Sequence, residues 1–316
     1  AVCCLSSLNL EKIEEWQDHP TFIEDCMRFL DNVLTDFIEK APDSMARAKY
    51  AAMRERSVGL GVMGFHSFLQ SKMIPMEGVM AKVWNRRMFQ HIKRQVDDSS
   101  VKLAHERGAC PDAADYGVME RFSNKMAIAP TASISIICGG TSPGIEPNAA
   151  NAFTHKTLSG SFPVRNPYLE RVLETKGRNN EDVWSSITTN EGSVQHLDFL
   201  SPEEKDVFKT AFEIDQRWMI EHAADRTPFV CQAQSLNVFL PANVHKKELH
   251  RIHWDAWAKG VKSLYYCRSK SIQRAESAAS WERSKSGEPV NTSAFYEPKQ
   301  MELGEEKKYE ECLACQ

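Results

Sequence analysis

Two thiols close the chain, in Glu311-Cys312-Leu313-Ala314-Cys315-Gln316. Cysteines at this spacing can form a small disulfide ring or hold a metal. A structural zinc site normally takes four ligands, and no second Cys-x-x-Cys or His-x-x-x-His cluster accompanies the pair. Thiol–disulfide exchange suits them better, because access and thiolate character set its rate. Taken alone, the pair also fits an incidental terminus. At the other end stand Cys3 and Cys4. Adjacent cysteines seldom bridge each other, since a vicinal disulfide strains the backbone. One could react while the other packs as a small hydrophobe, although two core thiols would be the simpler account.

Two further segments could carry chemistry. Ala129-Pro130-Thr131-Ala132-Ser133-Ile134-Ser135 is followed by Gly139-Gly140-Thr141-Ser142-Pro143-Gly144. Hydroxyls and small residues after a strand can cradle a phosphate with backbone N–H groups. The segment lacks the Gly-Lys-Ser/Thr of a Walker loop, and an ordinary polar loop fits its composition as well. Near the end, Ser263-Leu264-Tyr265-Tyr266-Cys267-Arg268 places two tyrosines side by side. On a strand they would point to opposite faces, and simple packing would explain them.

The elements that must position these residues are mostly helical. Phe22, Cys26, Phe29, Leu30, Val33 and Phe37 recur at helical spacing, as do Trp84, Met88, Ile92 and Val96 in a long segment that ends near Gly108. Ser201-Pro202-Glu203-Glu204 reads as a helix start with an N-cap, Pro at the first position and Glu three residues on. Val207, Phe208, Phe212, Ile214 and Trp218 are expected on that helix. Between helices lie short apolar runs, 57–65, 125–129, 133–138, 235–240 and 263–267, which predict strands buried on both faces. Alternation of helix and strand points to an α/β fold.

Composition narrows the function. A formal net charge of −4 argues against a nucleic-acid binder. No apolar run approaches the roughly 18 residues that span a bilayer. The first residues lack the basic and long apolar regions of a secretory signal, and Ala1 is what loss of an initiator Met would leave. Nine cysteines at irregular spacing are not a disulfide framework, and the odd count leaves one unpaired. A reducing cytoplasm with a few working thiols follows. From 269 to 316 the chain is rich in Lys, Glu and Ser with few large apolar residues, which predicts a flexible tail bearing the Cys312/Cys315 dithiol. Residues 1–268 would form the catalytic unit.

In this order, these features resemble the large subunit of class I ribonucleotide reductases. Ala1-Val2-Cys3-Cys4-Leu5-Ser6-Ser7-Leu8 resembles the segment that holds one of the family's two reducing cysteines, matched by Cys3. Arg56-Ser57-Val58-Gly59-Leu60-Gly61-Val62 resembles its Gly-x-Gly barrel strand, and Pro130, Thr131, Ala132, Ser133 and Ile134 its substrate-phosphate loop. Gly144-Ile145-Glu146-Pro147, Leu158-Ser159-Gly160-Ser161-Phe162 with Asn166-Pro167, and Gln232-Ala233-Gln234-Ser235-Leu236-Asn237 match as well. Tyr265 and Tyr266 match the radical-transfer dyad, and Cys312 and Cys315 the C-terminal shuttle thiols. The resemblance covers essentially the whole chain.

The resemblance implies the second half of a ten-stranded α/β barrel, helix-rich, with a flexible tail. It implies reduction of ribonucleoside diphosphates, with a metal cofactor in a radical-generating small subunit and none bound by this chain. The family's radical cysteine sits in Asn-x-Cys-x-Glu, a pattern missing from this sequence. It would come from a separate N-terminal fragment of the large subunit, so the chain reads as a split, processed or truncated piece. Thioredoxin or glutaredoxin would reduce the tail. Neither nucleic acid nor membrane is an expected partner. Cys110, Cys138 and Cys231 are expected to be structural. Two other readings stand beside this one: a non-catalytic half-reductase that regulates a full enzyme, and a small oxidoreductase acting through Cys312 and Cys315 alone.

Overall fold

The structure is a computed structural model that describes residues 2–157 and 160–269. Its framework is a curved wall of parallel backbone. β1 (Cys4–Asn9) pairs with β2 (Val58–Met63), Cys4 opposite Val58 and Asn9 opposite Met63. Parallel neighbours need a crossover, here supplied by helices Phe22–Lys40 and Ala46–Glu55. Residues 124–128 come next: the N–H groups of Val58 and Leu60 donate to the carbonyls of Asn124 and Lys125. Ile128 then bridges Gln234 in parallel, and Gln232 N–H donates to Met126 O. An antiparallel hairpin, β3 (Ala152–Thr157) and β4 (Gly160–Arg165), stands apart from the wall. β5 (Val238–Leu240) continues the fourth segment and pairs in parallel with β6 (Cys267–Ser269).

The two faces of this wall differ in their residues, although β2 and β5 are buried throughout, as the sequence predicted. Val58, Leu60 and Val62 of β2, Met126 and Ile128 of the third segment, and Leu236, Val238 and Leu240 all enter the main core under the helices. Alternate residues turn the other way. They are small or polar at Gly59, Gly61, Ala127 and Ser235, and large and apolar at Leu5 and Phe239. A Cβ on Gly61 would lie 2.2 Å from the carbonyl oxygen of Ala127, and one on Gly59 2.9 Å from Ala127 Cβ. Only glycine lets the third segment approach this closely.

The longest helix, Val79–Arg107, ends at Gly108 as predicted and buries Met88, Ile92 and Val96. In the Phe22–Lys40 helix the buried stripe is Ile23, Met27, Leu30 and Leu34, one step round from the predicted face, and Phe29 is 63% exposed. That helix packs on both the long helix and β1, so its contact face bisects the apolar arc. Ser201 caps its helix with a full capping box, but the helix stops at Val207. The predicted continuation fails because Thr210 N–H turns to the Glu213 carboxylate and Asp215 caps a new helix, Gln216–Arg226. A smaller core of Leu169, Leu173, Trp184, Ile187 and Phe208 sits under these elements.

The predicted strand at 133–138 is a one-turn helix, Ile134–Ile137. Thr131 adopts a positive φ of 53°, Ser135 N–H donates back to Thr131 O, and Gly139 and Gly140 end the turn at positive φ. The apolar run misled because Ile136 and Ile137 are exposed.

One buried ionic cluster locks the crossover to the long helix. Asp31, fully buried, meets Arg56 at 2.6 Å, Arg107 at 2.8 Å and Arg121 at 3.0 Å. Burial alone would raise its carboxyl. Hydrogen bonds from Arg121 and Arg107 and the charge of Arg56 outweigh that and hold it below the usual range. A lowered folded-state pKa adds stability above the unfolded value and loses it as pH falls. Asp31→Asn is therefore expected to cost about 3 kcal/mol at pH 7 by urea unfolding. The gap should narrow only below about pH 4; a gap unchanged in acid would show that the charge is irrelevant.

Candidate active site

Alternation along β1 decides between the paired cysteines. Cys4 packs with the helical core. Cys3 and Leu5 face the other way: both approach the position where Gly59 lacks a side chain, Leu5 Cδ2 at 2.4 Å and Cys3 Sγ at 3.3 Å. Cys3 is half-buried, and burial pushes its thiol up, offset in part by hydrogen bonds with Ser57 and Gln232. Gln232 reaches it from the fourth segment, its amide donating to Val58 O at 2.9 Å.

Leu5, Ser6 and Ser7 also line a cavity of about 350 Å³. Its floor is Ala129, Pro130, Thr131, Ala132, Ser133 and Ile134, and Ser235 and Tyr265 complete it. The structure thus gathers the predicted loop and one tyrosine around one space; Cys3 lies beside it at Gly59 and does not line it. The loop is braced from behind. Ser67 and Ser142 exchange backbone-to-hydroxyl bonds, at 3.1 and 2.8 Å, and Gly64 N–H donates to Ser142 O. Asn148 N–H donates to Nδ1 of buried His66, whose ring burial holds down to about 3. The Thr131 hydroxyl is already engaged, accepting from Gly144 N–H at 2.7 Å. It holds the loop together rather than reaching into the cavity. Ala132, Ser133 and Ile134 are exposed, and the first turn of a helix leaves its leading N–H groups without intrahelical acceptors. Among the described residues no cation lines the cavity, so an anion held by them would rest on amides and hydroxyls.

Tyr265 and Tyr266 lie ahead of β6, which begins at Cys267, so the strand starts four residues later than predicted. Nor do the rings take opposite faces: their centroids are 4.1 Å apart at 51°. Backbone bonds still tie the pair to the fourth segment, with Tyr265 N–H donating to Leu236 O and Val238 N–H to Tyr266 O. Tyr266 N–H donates to the Asn237 side chain at 3.0 Å, and Asn237 N–H to the carboxylate of buried Glu146 at 3.2 Å. Glu146 and Asn237 lie within the matched motifs, and the one sequence signal for a role is an acid set in a Gly/Pro turn beside an apolar residue.

Cys138 and Cys231, expected in the core, are exposed, and Cys110 is buried as expected. Cys231 Sγ accepts from the N–H groups of Lys125 and Met126, both at 3.2 Å. Cys312 and Cys315 lie outside the described residues, as does part of the 158–162 motif. Among the described residues, no group of three or more His, Cys, Asp or Glu is placed to hold a metal ion, and no helix is long and apolar enough to cross a membrane. A larger open groove of about 790 Å³ along Trp84, Arg87 and His91 contains none of these site residues.

A wall of parallel segments backed by helices is part of an α/β barrel. The family model described as "Ribonucleotide reductase, barrel domain" matches residues 1–116 and 112–267, and the chain belongs to that family. A ribonucleoside-diphosphate reductase large subunit of Invertebrate iridescent virus 6 is 51% identical over 89% of this chain and 29% of its own length. That of Invertebrate iridescent virus 3 is 44% identical over 86% of this chain and 43% of its own length. The class Id ribonucleotide reductase alpha subunit of Actinobacillus ureae superposes with a TM-score of 0.79 at 38% identity. That match covers 86% of this chain and 50% of the other. The chain spans half or less of each of these relatives.

The exposures order the thiols. At pH 7.5, iodoacetamide should label Cys138, Cys231 and Cys267 first, Cys3 later and Cys110 last, as read by peptide mass spectrometry. Cys3 labelling among the first would contradict the half-buried, raised thiol described above.

Proposed function

We propose that this chain supplies the second half of the catalytic barrel of a class I ribonucleoside-diphosphate reductase large subunit. The observation that carries the reading is the shared space beside β1, which brings the 130–134 loop and Tyr265 to the face from which Cys3 projects. The radical cysteine and the glutamate that acts as base on the 3′ hydroxyl come from an upstream segment. A thiyl radical there abstracts the 3′ hydrogen. Cys3 and a second upstream cysteine then give two electrons and two protons as the 2′ hydroxyl leaves as water, and their sulfurs join in a disulfide. Thiolate attack by the Cys312/Cys315 dithiol would reopen that bond, and thioredoxin or glutaredoxin would reduce the tail in turn.

The neutral lining of the cavity suits phosphate binding by amides, which fixes the ribose against the thiols as an orientation effect. Contact between the Tyr265 and Tyr266 rings supports a short relay to a small subunit that generates the radical with its own metal. The open inner face supports closure by the other half of the barrel, since exposed strand edges and apolar side chains such as Leu5 invite a partner.

Mixing this chain with the upstream half of a large subunit, a small subunit and dithiothreitol should yield a one-to-one complex of the two halves by light scattering. Only that complex should form deoxynucleotide. Cys3→Ser should lower turnover by at least about a thousandfold, as loss of a group essential to the chemical step does. Stable, monomeric behaviour with no association, or full turnover by Cys3→Ser, would remove the proposal.

A further inference from the structure

We infer that Glu146 is a positioning residue for the Tyr265–Tyr266 pair, acting through Asn237; the inference rests on the radical-relay reading above. The tyrosines precede the regular ladder of β6; backbone bonds hold Tyr265 N–H to Leu236 O and Tyr266 O to Val238 N–H, and leave the Tyr266 N–H to a side chain. The bond that holds the Tyr266 amide comes from a side chain, Asn237 Oδ1, at 3.0 Å. Asn237 is itself fixed by its own N–H, which donates to Glu146 Oε1 at 3.2 Å. Both residues are buried.

A buried carboxylate is costly unless paired or hydrogen-bonded, and no ion pair within 4 Å is made by Glu146 among the described residues. The charge of Arg268 acts on it, and that guanidinium stacks over the Tyr266 ring at 5.4 Å from the centroid. The acid, the amide, the tyrosine and the arginine thus form one constellation around the pair. An apolar residue would fill the same volume but leave the buried Asn237 N–H without its acceptor. Glu146 is also set by the substrate loop. It lies two residues after Gly144, whose N–H the Thr131 hydroxyl accepts at 2.7 Å, and its own N–H donates to Pro143 O. Burial pushes the Glu146 carboxyl above its ordinary range, with Asn237 opposing. Glutamine, neutral and with the same acceptor oxygen, is therefore a close substitute.

Misplacing a reacting group by about 1 Å can cost on the order of a hundredfold in rate. The test uses the intact large subunit assembled with its small subunit. Glu146→Ala and Asn237→Ser should each lower kcat by at least about tenfold, with KM for the nucleoside diphosphate held within about twofold. Glu146→Gln should recover kcat to within about threefold of the parent. The Glu146→Ala/Asn237→Ser double variant should lose little more than the worse single one, as partners in one chain of contacts do. With 3-aminotyrosine at position 266, the trapped radical seen by electron paramagnetic resonance should fall in Glu146→Ala while the small-subunit radical persists. Thermal melting separates this from unfolding. Parent-like kcat in Glu146→Ala, a KM rising in step with the loss of kcat, or a Glu146→Gln no better than Glu146→Ala would overturn the inference. A parent assembly that turns over equally well with Tyr266→Phe would instead sink the relay reading, and this inference with it.

Discussion

The whole site depends on how closely the third wall segment can approach β2. Ala127 presses its carbonyl and its methyl group into the space left by Gly61 and Gly59. That approach sets the curvature of the wall and brings Cys3, Leu5 and Ala127 onto one inner face. It also aims the chain leaving Ala129 across the top of the wall, where Pro130 and the positive φ of Thr131 turn it into the loop. Any side chain at Gly61 would have to move backbone, not a flexible tip, so the geometry is set at the level of the strand. Most of the large apolar residues then lie against the helices, and Gly59, Gly61 and Ala127 keep the inner face close-set.

Electrostatics falls into two kinds. The Asp31 cluster is structural: three guanidiniums from different stretches of chain converge on one carboxylate and fix the crossover that follows β1. Arg226 is similar. Fully buried between the rings of Phe65 and Phe89, it binds Gln234 and Asn85, and burial brings it down to about 9. Glu146 belongs to a different kind. Its bond leads through Asn237 to a tyrosine backbone rather than to another helix, and it gives the buried Asn237 N–H its acceptor.

Much of this was legible in the sequence. Ser201 with Glu204, the stop at Gly108 and the Gly-x-Gly strand follow local rules and lie where those rules put them. Other features depend on tertiary context. The run at 133–138 reads as a strand by composition, yet the turn at Thr131 and the glycine pair after it leave room for only one helical turn. Phe29 and Val33 share the apolar arc of their helix, but that helix packs on two neighbours at once and buries a stripe between the arcs. Tyr265 and Tyr266 would alternate on a strand, and stand side by side because the strand begins after them. The choice between Cys3 and Cys4 needed a resemblance in the sequence and became a matter of facing in the structure. Glu146 and Asn237 could not be read as partners, since 91 positions separate them.

The central claim is that Cys3, and not its neighbour Cys4, is the thiol oxidised when substrate is reduced. The most direct measurement is a single turnover of the assembled enzyme without external reductant, followed by acid quench, alkylation and mass spectrometry of the cysteine peptides. The account predicts that Cys3 becomes protected in a disulfide with a cysteine from outside residues 1–316 while Cys4 remains free to alkylate. Protection of Cys4, or a Cys3 that stays reduced while deoxynucleotide forms, would contradict it.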